Sequence, residues 1–236
     1  MPKRWRIGTI LSAAFAALFL AKIEAQTGTK SPVWETLMRA PIPEDSLPNI
    51  GVVSIPVGPA SPIPREPGPG HTHPGPVFAY ILQGEIENQV EPDPPQFYKA
   101  GGFFYEAPLH VHRFLRNLST TEPAKLIIFQ EGGDQTKAAP AVKLLLQEPL
   151  LPTRNQEVSL LRLTLPAGAL AEDRGHSGPG IVYVLEGKIG ASGRTFGAGD
   201  LFLEPANGAG VTFKNAGIGE PAKLLLYQVN DKDSTR

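Results

Sequence analysis

Pro69-Gly70-His71-Thr72-His73-Pro74-Gly75-Pro76, followed by Val77-Phe78-Ala79-Tyr80-Ile81-Leu82 and then Gln83-Gly84, is the stretch that decides the fold. Glycine and proline punctuate it, two histidines stand two residues apart, and a short β-branched and aromatic run follows and ends at a glycine. Such a run between turn residues reads as a strand. The stretch also has an echo. An offset of 103 maps His73, Gly75, Pro76, Tyr80 and Gly84 onto His176, Gly178, Pro179, Tyr183 and Gly187. Ile181-Val182-Tyr183-Val184-Leu185 is the matching strand.

Further blocks extend the echo in both directions. Glu122-Pro123-Ala124-Lys125-Leu126 recurs as Glu220-Pro221-Ala222-Lys223-Leu224. The same offset of 98 pairs Gly101 with Gly199, Glu106 with Glu204 and Asn117 with Asn215. Upstream, Ile55-Pro56-Val57-Gly58 pairs with Leu165-Pro166-Ala167-Gly168, and Val33, Leu37 and Pro43 pair with Val142, Leu146 and Pro152. The offset changes only in turn-rich stretches, so the chain is one unit duplicated with loops of different length. The reading divides it into a leader over 1–25, a first unit over 26–135 and a second over 136–236, with the join near Gly132 to Pro140. Short strands between turn signals predict an all-β chain of two tandem barrels. Val33 to Arg39 is the one brief segment that reads as helix or strand.

Composition agrees. The chain has 236 residues, with 25 Gly and 25 Pro, which disfavours long helices because proline fixes φ and removes a donor. It has no Cys, which excludes disulfides, thiolate metal sites and a cysteine nucleophile. A formal net charge of −1 gives no attraction to nucleic acid. Lys3, Arg4 and Arg6 precede an apolar run from Ile7 to Ala21, with small Ala25 before polar Gln26. That order predicts a secretory signal peptide cut after Ala25. The apolar run is too short to span a bilayer. The mature chain is then expected in the periplasm or outside the cell, with no stable membrane span.

Four of the five histidines form two His-x-His pairs, His71 with His73 and His110 with His112. On a strand, residues two apart face one side, so each pair can aim two imidazoles at one point. Neutral imidazole suits Zn, Fe, Cu, Ni or Mn, and one such divalent transition metal is expected. Glu106, before Ala107-Pro108, is a candidate acid–base group. Its repeat mate Glu204 also precedes a proline, which argues equally for a role in the turn.

The first motif, Pro69 to Pro76 with its strand and Gly84, resembles the first motif of the cupins. Gly101 through Glu106, with Pro108, His112 and Asn117, resembles the second. The duplication makes the chain similar to bicupins, and in particular to quercetin-dioxygenase-like cupins. The resemblance implies two jelly-roll barrels and a metal held by His71, His73 and His112. The family's usual glutamate ligand, four residues after the second His, is here Val77, leaving a three-His site. His110 is then a fourth ligand or a group at the rim that polarises substrate.

In the second copy Arg174, Gly180 and Gly210 stand where the first has His71, Val77 and His112, and only His176 is kept. That copy is expected to be degenerate. The functional expectation is a dioxygenase-like enzyme acting on a small chelating organic substrate. The alternative is a non-catalytic cupin that binds a metal or a small ligand. A homodimer through exposed strand edges is a further expectation.

Overall fold

The computed structural model describes residues 31–43, 49–60, 69–133, 141–149, 155–173, 175–205 and 210–232. The expected leader, Arg174 and most of the join between the repeats lie outside these residues. Every regular element among them is a strand, so the fold is all-β. The first repeat contributes β1 (Val33–Pro41), β2 (Asn49–Val57), β3 (His71–Thr72), β4 (Val77–Gln83), β5 (Glu85–Val90), β6 (Gln96–Lys99), β7 (Phe103–Glu106), β8 (Val111–Asn117) and β9 (Ala124–Glu131). The second contributes β10 (Lys143–Pro149), β11 (Gln156–Leu165), β12 (Leu170–Glu172), β13 (Gly180–Glu186), β14 (Lys188–Ala191), β15 (Arg194–Gly197), β16 (Leu201–Glu204), β17 (Thr212–Asn215) and β18 (Ala222–Asp231). The ambiguous segment from Val33 is a strand.

Each barrel joins a five-stranded sheet to a four-stranded one. The first has orders β10-β2-β9-β4-β7 and β3-β8-β5-β6, the second β1-β11-β18-β13-β16 and β12-β17-β14-β15. The first strand of each repeat therefore sits in the other repeat's barrel. β1 lies antiparallel to β11, with Trp34 opposite Leu163, and β10 lies antiparallel to β2, with Leu144 opposite Val53. Duplicated in sequence, the two units are exchanged in space.

The five-stranded sheets pack against each other. Phe78, Tyr80, Ile127 and Phe129 from one meet Leu160, Ile181, Leu225 and Tyr227 from the other in one buried cluster. The rings of Phe129 and Tyr227 stack at 5.3 Å. On β4 the alternate residues Val77, Ala79 and Ile81 turn inward and fill the first barrel with Ile86, Leu126 and Ile128. A strand buried on both faces loses the polar half of its alternation, which is why β4 reads as a continuous apolar run.

The repeated turn residues have matching work. Asn117 Nδ2 donates to Glu122 O at 2.6 Å and to Val57 O at 3.2 Å, and its Oδ1 accepts from Ser119 N. Asn215 does the same with Glu220 O, Leu165 O and Gly217 N. Gly84 and Gly187 adopt φ of +81° and +78°, and a Cβ on either would stand about 3 Å from the Cα of Ala124 or Ala222. Both the backbone conformation and the close approach require glycine there.

Candidate metal centre

β3 and β8 carry the first barrel's histidines. His71 is the direct cross-strand partner of His112. His73 follows β3, and its carbonyl accepts a hydrogen bond from Leu109 N at 2.9 Å, which ties the β3 end to the turn before β8. Gly70 permits this approach, since a Cβ there would lie 2.8 Å from His112 O. The outcome is a triangle of imidazoles, with ring centroids 4.8 Å (His71–His73), 5.0 Å (His71–His112) and 5.9 Å (His73–His112) apart. One ligand nitrogen from each lies within 4.8 Å of the others. His71 is exposed and His112 buried, so the triangle opens to solvent on one side.

Burial lowers the pKa of His71, and the neighbouring His73 and His112 lower it further. Burial also lowers that of His112, where Glu106 opposes the shift and His73 adds to it. Neutral imidazoles at neutral pH are the form that binds metal. The buried Nε2 of His112 has no hydrogen-bond partner. A divalent cation at the centre of the triangle would take up its lone pair, so the donor set fits a borderline transition metal.

Cross-strand register brings Glu106 into the site. Val77 on β4 stands directly opposite Glu106 on β7, so both side chains face the barrel interior. Glu106 Oε2 lies 3.2 Å from His73 Nε2 and Oε1 3.7 Å from His112 Nε2. Asn88 Nδ2 on β5 donates to Oε1 at 3.4 Å. Burial pushes this carboxyl up, but the contacts with His73, His112 and Asn88 outweigh it and hold it below the usual range. An ionised carboxylate thus stands beside the triangle even though position 77 is valine. His110 is in the exposed turn before β8 and is not a member of the triangle. The strand begins at Val111, so the i, i+2 relation to His112 does not carry back to it.

In the second barrel His176 occupies the place of His73, and Gly180 lies opposite Glu204 as Val77 lies opposite Glu106. The structure gathers Asp173, His176 and Glu204, with their ligand atoms within 4.8 Å. Sequence reasoning passed over Asp173. Its signal was a carboxylate three residues before the retained histidine.

Comparison with known proteins agrees with this fold. Residues 61–129 match the family described as "Cupin domain". No curated protein matches the chain. A mutant of oxalate decarboxylase from Bacillus subtilis is similar in structure, at 16% identity and a TM-score of 0.51, covering 86% of this chain and 78% of that one. Salicylate 1,2-dioxygenase from Pseudoaminobacter salicylatoxidans, in adducts with gentisate, gives 15% identity and 0.51 over 77% and 68%. The bacterial pirin YhhW from Escherichia coli, in complex with nickel(II), gives 14% and 0.50 over 77% of each. The family match lies within the first barrel, and the two-barrel fold is similar to that of these solved structures. At these identities the likeness speaks for the fold alone.

Proposed function

We propose that the first barrel is the metal-dependent centre of an exported, dioxygenase-like bicupin acting on a small chelating organic molecule. One observation carries the reading: three imidazoles converge on an opening to solvent, beside a buried carboxylate. His71, His73 and His112 would hold the cation and leave coordination positions free, the condition for a catalytic rather than a structural site. The bound metal would supply Lewis acidity and a template for adjacent substrate oxygens. Glu106, ionised and within reach of the ligand edges, is placed to take the proton from a substrate hydroxyl as it enters. Asn88 fixes the carboxylate for that task. His110, exposed on the turn at the barrel mouth, is available to contact the outer end of the substrate. The export reading rests on the basic and apolar N-terminal order and implies a periplasmic or extracellular substrate.

The test is elemental analysis of purified protein, followed by oxygen-uptake assays with catechol-type and diketone substrates. Bound iron, copper, nickel or manganese with substrate-dependent oxygen uptake, both oxygen atoms appearing in the product, supports the proposal. Stable metal with no turnover across the panel replaces it with a binding function. Less than about a tenth of an equivalent of any metal removes both readings.

A further inference from the structure

Asp173, His176 and Glu204 reach one point in the second barrel from three different segments. Asp173 follows β12, His176 lies in the turn before β13, and Glu204 ends β16. Their exposures are 8%, 5% and 4%. His176 Nδ1 is 2.6 Å from Gly178 O, and a carbonyl only accepts, so Nδ1 must donate. The remaining Nε2 therefore faces inward. It meets Glu204 Oε2 at 3.4 Å and Asp173 Oδ2 at 3.7 Å.

Three acceptor atoms in a dry site repel one another unless a cation lies between them. Burial opposes a charge on His176, but Glu204, the Gly178 carbonyl and Asp173 together raise its pKa, so the site favours a positive charge; both Nε2 contacts are longer than the roughly 2.7–3.2 Å of an N–H···O bond. A metal ion can supply that charge: ligand atoms about 2.0–2.2 Å from a shared centre stand roughly 3.0–3.5 Å apart, a spacing that the 3.4 Å contact meets and the 3.7 Å contact exceeds by 0.2 Å. Two further observations point to a ligand. Glu204 Oε1 is buried without a hydrogen-bond partner. Gly180 also keeps the centre open, for a Cβ there would stand 2.5 Å from His176 Nε2 and 2.8 Å from Glu204 Oε2. Gln228 Nε2 donates to Asp173 Oδ2 at 2.9 Å and to Glu204 Oε2 at 3.3 Å, so both facing oxygens are held in place.

We propose that Asp173, His176 and Glu204 form a second divalent-cation site, enclosed within the second barrel. Its two carboxylates neutralise the ion, and oxygen donors make it harder than the three-imidazole site. It therefore suits a Mn²⁺-like ion better than the three-imidazole site does, and serves the barrel's stability rather than an open reaction centre. Nothing in this assignment depends on the function of the first barrel.

Mn²⁺ itself is the probe, with elemental analysis after desalting and circular dichroism as the check on folding. The Asp173→Asn/Glu204→Gln chain is expected to hold about one equivalent less than the unmodified chain. The same equivalent persists in a His71→Ala/His73→Ala/His112→Ala chain. Gly180→Ala alters no ligand but fills the centre, and it is expected to cause the same loss. Because the readout is a difference, it holds whether or not the first barrel takes up Mn²⁺. Equal Mn²⁺ contents in the unmodified, Asp173→Asn/Glu204→Gln and Gly180→Ala chains overturn the proposal, as does a three-histidine variant that folds and retains none.

Discussion

Glu131 ends β9 within the interface between the barrels, fully buried, with Tyr227 O–H donating to its Oε1. Its Oε2 has no hydrogen-bond partner. Burial raises this carboxyl from the ordinary 4.5 to about 7, and the bond from Tyr227 only partly opposes the rise. The folded chain thus keeps a proton that the unfolded chain releases above about pH 4.5. Stability then falls as pH rises through the window from 4.5 to about 7 and is level above it. At roughly 1.4 kcal/mol per pH unit, the full loss is about 3 kcal/mol. Glu131→Gln keeps the shape and the acceptor for Tyr227 but cannot ionise. Urea unfolding of both chains across pH 4.5 to 8 is the assay. Relative to the wild type, the variant should gain about 3 kcal/mol between the two ends of that range. Parallel stability profiles would refute a proton held at Glu131.

Three other outcomes are expected. In an Asp173→Asn/Glu204→Gln background, where only first-barrel metal is counted, His112→Ala should abolish metal retention while His176→Ala leaves the metal in place, and acidification should release it only below pH 6.5, because the His71 and His112 pKa values are lowered; equal losses from both variants in that background, read by elemental analysis, would contradict a first-barrel site. Glu106→Gln should keep the first-barrel metal and lower oxygen uptake about 10²–10⁴-fold, as loss of a general base does; unchanged turnover would leave Glu106 a structural role. A fragment ending at residue 133 lacks β10 and leaves the edge of β2 unpaired, so it should aggregate alone and become soluble when mixed with residues 141–236, as scored by sedimentation.

Much of this could be read from the sequence. The repeat was legible because Asn117 and Asn215, and Gly84 and Gly187, satisfy the same hydrogen bonds and close approaches in both units. The three histidines were legible because tight spacing put two of them on β3 and its end, and the second motif carried the third. The strand exchange was not. β1 and β10 have the same pattern and would satisfy either barrel, so only tertiary packing decides between them. The proximity of Glu106 was hidden because it depends on the register of β7 against β4, which no local pattern states. His110 does not share a strand face with His112, because β8 begins only at Val111, which leaves it the rim position and not a place in the triangle. Asp173 lies just outside the aligned motif, where spacing offers no guide.

The exchange of first strands also fixes an order of events during synthesis. β1 leaves the ribosome before any other strand, yet its partner β11 begins at Gln156, with Arg39 and Glu157 separated by 118 residues. At ordinary translation speeds the lag is on the order of 10 s. The first barrel likewise waits for β10, made after all its other strands. The first barrel has every strand it needs once β10 is made, whereas the second must wait for β18, so β1 stays unpaired from the first strand made until the second barrel assembles around it.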